Sequence, residues 1–222
     1  MRDQGDTRGT CVAFAVTAAH EFDREAGGAD AEHLSEEALY WSCKLIDGQW
    51  RSGTFFSSAA RALSSTGQPS EQVWPYDPNR PNGVSFAPPT PPDAAWLTST
   101  MTAMTADVAT VRTELDAGRP VLLGVVVYDC MFLPTSAGRV ELPPAGSLDR
   151  GRHAVLAVGY DADALLIRNS WGVTWALAGY GWLTDSYSAL YLKDVWAISS
   201  GVIATTTVTA AITASGGVYG SA

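Results

Sequence analysis

Three cysteines, Cys11, Cys43 and Cys130, supply every thiol in the chain, and three histidines, His20, His33 and His153, are the imidazoles able to take a proton from one. A thiol attacks a carbonyl carbon only as thiolate, so a reactive cysteine needs a helix N-terminus or an imidazolium beside it. Cys11 meets the first condition. Cys11, Phe14, Ala15, Ala18 and Phe22 recur at helical spacing from about Thr10 to Ala26, and Gly27-Gly28 ends the run. His20 lies on the same helix, about 13 Å from Cys11 at a rise of ~1.5 Å per residue, out of reach of the sulfur. His33 stands just before Ser35, a helix N-cap, and reads as a solvated entry residue. His153 opens the apolar run Ala154-Val155-Leu156-Ala157-Val158, which suits a base at a strand end and a core-strand histidine equally well. These histidines and cysteines never fall at short ligand spacings, so no metal is expected.

The elements that must position these groups change character along the chain. A second helix begins at Ser35, with Glu36 and Glu37 in its first turn, and runs through Leu39, Tyr40 and Cys43; a third spans roughly Phe56 to Leu63. Eight of the twelve prolines then fall between Gln68 and Asp93, where fixed φ and missing donors oppose regular structure, so this stretch is expected to be a surface crossover. A helix from about Ala106 to Ala117 and a buried strand from Pro120 to Tyr128 follow, and short strands are expected at His153 to Gly159, Ala164 to Asn169 and Gly179 to Leu183. Helices first and strands later imply an α+β fold with two lobes and a cleft between them. After Ser199 the chain is uncharged and rich in Thr, Ala, Gly and Val, and is read as a tail rather than a membrane span.

Length and charge narrow the function classes. At 222 residues, 46% hydrophobic and 17% charged, the chain can bury a sizeable core. A net charge of −9 with 14 Lys and Arg argues against nucleic acid as a partner. No secretory signal is visible, three cysteines are too few for a disulfide framework, and Asn79, Asn82 and Asn169 all lack the following Ser or Thr of a glycosylation site. A reducing, cytoplasmic compartment is expected, or a secreted form after loss of an upstream segment.

Three separated stretches resemble the papain family of cysteine peptidases. Gln4-Gly5 followed by Gly9-Thr10-Cys11-Val12-Ala13-Phe14-Ala15 is similar to its nucleophile segment, Gly151-Arg152-His153-Ala154-Val155 with Val158-Gly159-Tyr160 to its histidine strand, and Asn169-Ser170-Trp171-Gly172, then Trp175 and Gly179-Tyr180-Gly181, to its asparagine motif. Cys11 and His153 stand 142 positions apart, inside the roughly 130 to 150 usual in that family. Leu34-Ser35-Glu36-Glu37, Trp74-Pro75-Tyr76 and Leu115 to Val121 extend the likeness to about Ser199.

The resemblance implies a papain-like domain over 1–199, with a helical lobe over about 1–105, an antiparallel β-barrel-like lobe over about 106–199, and a tail over 200–222. It implies Cys11 as nucleophile paired with protonated His153, Asn169 orienting the imidazole, and Gln4 with the Cys11 backbone N–H as an oxyanion hole. Trp171 would shield the His–Asn contact, and Gly53, Arg152 and Trp171 would border the substrate. The implied partners are a peptide or protein substrate and a separate inhibitor or pro-segment, with no cofactor, nucleic acid or membrane. An acyltransferase or amidase using the same residues, and a peptide-binding pseudoenzyme, are the alternatives. Two residues depart from the family pattern: Arg8 stands where many secreted members carry a disulfide cysteine, and Ala176 stands where a glycine commonly follows the second tryptophan. Cys43 and Cys130 are expected to act as small buried hydrophobes unless the lobes bring them together.

Overall fold

The computed structural model describes residues 2–48, 51–81 and 95–199. Three helices come first: α1 (Cys11–Ala26), α2 (Glu36–Asp47) and α3 (Phe56–Ser65). The signals that predict α2 act as they should: Ser35 Oγ accepts the Ala38 N–H at 3.0 Å, Glu36 and Glu37 fill the first turn, and Gly48 closes the helix in the left-handed region. At the start of α1, Thr10 Oγ1 pairs with the Tyr76 hydroxyl at 2.8 Å rather than capping its own helix.

The described residues from 100 to 199 build one sheet. Its strands are β1 (Thr100–Met104), β2 (Val121–Val126), β3 (Arg139–Val140), β4 (Arg152–Tyr160), β5 (Ala164–Arg168), β6 (Tyr180–Thr184) and β7 (Leu192–Ser199), in the order β1-β7-β2-β4-β5-β6-β3. All pairs are antiparallel except β3 with β6, and the ends β1 and β3 do not meet, so the sheet is open and mixed rather than closed into a barrel. Helices α4 (Val108–Asp116), α5 (Asp129–Phe132) and α6 (Asp185–Tyr191) complete the fold.

Strand β2 explains why its sequence reads as unbroken apolar residues. Leu122 enters one core with Cys11, Val16, Leu39 and Leu63 of the three helices, together with Ala154, Leu156 and Trp196 of the sheet. Val121, Leu123 and Val125 enter a second core with Val111, Val155, Ile167, Leu183 and Tyr187. A strand buried on both faces carries no polar alternation. Strand β1 escapes sequence reading for the opposite reason: Thr-Met-Thr-Ala-Met sits at a sheet edge, largely exposed, and is held by pairing with β7. Helix α6 lies inside a stretch read as strands and turns, although Thr184 caps it by accepting the Tyr187 N–H at 3.3 Å.

Residues 82–94 of the proline-rich crossover and the tail from 200 to 222 lie outside the described residues. Among the described residues no helix is long and apolar enough to cross a membrane.

Candidate active site

Cys11 is the first residue of α1 and is fully buried. Burial pushes its thiol up to about 12, while the backbone N–H groups of Ala154, Val12 and Cys11 itself act to lower it. Two of those donors belong to the helix N-terminus, and the third to the residue after His153. The packing of α1 on β4 therefore carries the sulfur to the beginning of the histidine strand.

His153 is the second residue of β4, opposite Val125 on β2, and is buried. Its Nε2 lies 2.7 Å from Asn169 Oδ1, and the Ser170 backbone N–H donates to the same oxygen at 2.8 Å. A backbone N–H can only donate, so this contact identifies the Asn169 oxygen as an acceptor and makes Nε2–H of His153 the donor to it. The neutral imidazole then carries its lone pair on Nδ1, leaving that nitrogen as the basic one. Trp171 stacks on the imidazole at 4.5 Å between centroids, and Phe132 stacks on Trp171 at 5.0 Å and 9°. Trp175 meets Trp171 edge-on and donates Nε1–H to the Met131 carbonyl at 2.8 Å, which holds this aromatic cover in place.

Burial lowers the His153 imidazole to about 4, with the Asn169 hydrogen bond opposing the shift. The ordinary value is 6.5, so between pH 6.5 and 4 the unfolded chain binds more protons than the folded one. The stabilisation is complete above pH 6.5 and is lost as pH falls through 4, and a shift of this size corresponds to about 3 kcal/mol. Urea unfolding at pH 7 and pH 4 should show the wild type losing about 3 kcal/mol more than His153→Gln. Equal losses would mean that the imidazole is not held neutral.

Gln4 is buried and held at every polar atom of its amide: Nε2 donates to the Arg8 carbonyl at 3.1 Å, and Oε1 accepts the Ser170 hydroxyl at 2.7 Å. Its backbone N–H donates to the Ser170 carbonyl at 2.9 Å, and its carbonyl accepts the Tyr76 hydroxyl at 2.7 Å. Nε2 carries two hydrogens and Arg8 takes one, so a second can be directed at a ligand oxygen. Ser170, adjacent to Asn169, thus ties the nucleophile segment to the asparagine motif. From the sequence, Ser170 and Tyr76 were read only as parts of motifs, and Phe132 was not singled out.

The remaining residues separate. Gly53 is buried with φ +89°, and its carbonyl accepts Lys44 Nζ at 2.8 Å. Arg152 opens β4 and is half-buried; burial raises the carboxyl of Asp194, and Arg152 opposes that shift. His20 is a satisfied core residue, its Nδ1 2.9 Å from Gln68 Oε1, and His33 is exposed. Cys43 packs in the first core and Cys130 beside the second, and both are free thiols. Ala176 adopts φ +44° and Ala178 φ +55°, so the turn after Trp175 keeps a left-handed conformation with alanine where glycine is strain-free.

Comparison with known proteins identifies the family and the fold. The family model described as papain family cysteine protease matches residues 1–205. An uncharacterized peptidase C1-like protein of Acanthamoeba polyphaga mimivirus is 26% identical over 218 residues, covering 88% of this chain and 68% of that protein. A probable cysteine protease of Arabidopsis thaliana is 28% identical over 185 residues, covering 81% of this chain and 50% of its own length. The chain thus spans between half and about two thirds of these two relatives. Among solved structures, xylellain, a cysteine protease from Xylella fastidiosa, superposes with a TM-score of 0.79 at 29% identity, over 90% of this chain and 82% of that one.

Proposed function

The chain belongs to the papain family of cysteine proteases, and from that premise we propose that it cleaves peptide bonds with Cys11, His153 and Asn169 as its catalytic triad. The observations that carry this reading are a thiol beside the N–H of Ala154, the residue after His153, and an imidazole whose Nε2 is engaged by Asn169, which leaves Nδ1 as base. Burial favours both groups uncharged. Moving the thiol proton to Nδ1 creates two opposite charges, whose mutual attraction offsets part of the desolvation that burial imposes on each. The backbone N–H groups of Cys11, Val12 and Ala154 then face the sulfur anion. Asn169 Oδ1 accepts the hydrogen of an imidazolium at Nε2.

Sγ adds to the scissile carbonyl carbon, and the carbonyl oxygen becomes an oxyanion held by the Cys11 backbone N–H and the second Nε2 hydrogen of Gln4. His153 Nδ1–H gives its proton to the departing amine nitrogen as the C–N bond breaks, leaving a thioester. Water, losing a proton to Nδ1, then attacks the thioester, and the C–S bond breaks to restore the thiol. In this reading Gly53 and Arg152 border the substrate, and Trp171 covers the His153–Asn169 contact.

Incubation with a mixed peptide library and mass spectrometry tests this directly. New peptide termini are the expected result; joined peptides would assign acyl transfer instead, and an unchanged library would contradict catalysis. Gln4→Ala should lower kcat by about 10²- to 10³-fold while KM moves by less than about threefold, because the lost hydrogen bond forms fully only in the transition state. A change confined to KM would place Gln4 outside the oxyanion hole.

A further inference from the structure

Helix α2 presents Glu37, Tyr40 and Lys44 at spacings of three and four, on one stripe, and two buried cations meet the ring of Tyr40. The Arg8 guanidinium lies 5.2 Å from its centroid and Lys44 Nζ 5.9 Å from it. Arg8 is forked onto Glu37 at 2.6 and 2.9 Å, donates to the Asp77 carbonyl at 2.7 Å, and has the Tyr76 ring 5.1 Å away. Its own carbonyl accepts Gln4 Nε2 and the Thr10 N–H. Lys44 is paired with Asp47 at 3.3 Å and holds the Gly53 carbonyl, while Thr54 and Ser58 donate to the same carboxylate. One hydrogen bond, Gly9 N–H to Ser52 Oγ at 2.7 Å, joins the two segments so anchored.

Buried ion pairs give little net stability, because desolvation offsets most of the attraction, yet they demand a defined geometry. Arg8 of the first pair holds Gln4 Nε2 on its carbonyl, and Lys44 of the second holds the Gly53 carbonyl. We propose that Arg8 with Glu37 is a positioning device for Gln4 and the Cys11 amide, and that Lys44 with Asp47 is a positioning device for Gly53. One helix thereby aligns both walls of the cleft through charge rather than a covalent bridge. This inference rests on the roles given to Gln4 and Gly53 above.

Arg8→Lys keeps the charge but loses the planar fork, and Lys44→Met keeps the length but loses the charge. Arg8→Lys should lower kcat about tenfold or more with KM within about twofold, and Lys44→Met should raise KM about tenfold with kcat within about threefold. If Lys44→Met alone does not fold, Lys44→Met with Asp47→Asn removes the pair as a neutral unit. Amide hydrogen exchange on the same proteins gives a readout independent of turnover: Arg8→Lys should speed exchange over residues 4–10, and the Lys44 variant over 51–54. A wild type without turnover would overturn the proteolytic reading, and exchange would still decide the positioning roles. Kinetic constants that move in parallel, or exchange that rises over the whole chain or nowhere, would overturn the positioning roles.

Discussion

Cys11→Ala is expected to abolish peptide cleavage, a loss on the order of 10⁶-fold in kcat if the nucleophile acts as one unit with its base. The fold should survive. Cys11 is buried in the first core, and removing one sulfur atom leaves a small cavity whose cost is about 1 kcal/mol, within the range of a deleted buried group. Circular dichroism and urea unfolding should therefore look nearly native while turnover falls to background. Residual cleavage above about 1% of wild type would assign the chemistry to another group.

His153→Ala should be nearly as severe, about 10⁴-fold in kcat, and should change the pH at which Cys11 reacts. In the proposed mechanism the thiol passes its proton to Nδ1. Without that acceptor, burial opposes ionisation of the thiol and only the three backbone N–H groups moderate it. Alkylation of Cys11 in the variant should be slow at neutral pH and rise continuously toward strongly alkaline pH, whereas the wild type should react readily near neutrality. Matching pH profiles would show that His153 does not accept the thiol proton. Trp171 and Phe132 bear on the same measurement, since Trp171 stacks on the imidazole and Phe132 on Trp171.

The amino-acid pattern made much of this legible. The first helix, the Ser35 cap and the strand opening at His153 follow from local rules, and the 142-position separation selects His153 over His20 and His33 only alongside the neighbouring motifs. Distance along a helix excludes His20, and the structure shows what that residue does instead, bonded to Gln68 within the core. What local patterns do not carry is contact between distant segments. Ser170 reaching Gln4 across 166 positions, and Arg8 reaching Glu37 and Asp77, depend on how α1, α2 and β4 pack. Arg8 looked from sequence like a lost disulfide position, yet its guanidinium is forked onto Glu37 and bonded to the Asp77 carbonyl. Strand β1 and the open sheet were illegible for a related reason: a two-residue parallel edge at β3 and an exposed edge strand leave no periodic signature.

The central claim is that Cys11 is the activated thiol of the chain, and a peptidyl epoxide of the kind that traps papain-type thiolates tests it most directly. Sγ opens the epoxide, a C–S bond forms as a C–O bond breaks, and the protein gains the inhibitor's full mass. Intact-mass and peptide-level spectrometry at neutral pH should find one adduct, on Cys11, absent from Cys11→Ala, with Cys43 and Cys130 unmodified. An unmodified wild type, or an adduct on Cys43 or Cys130 that persists in Cys11→Ala, would contradict the account.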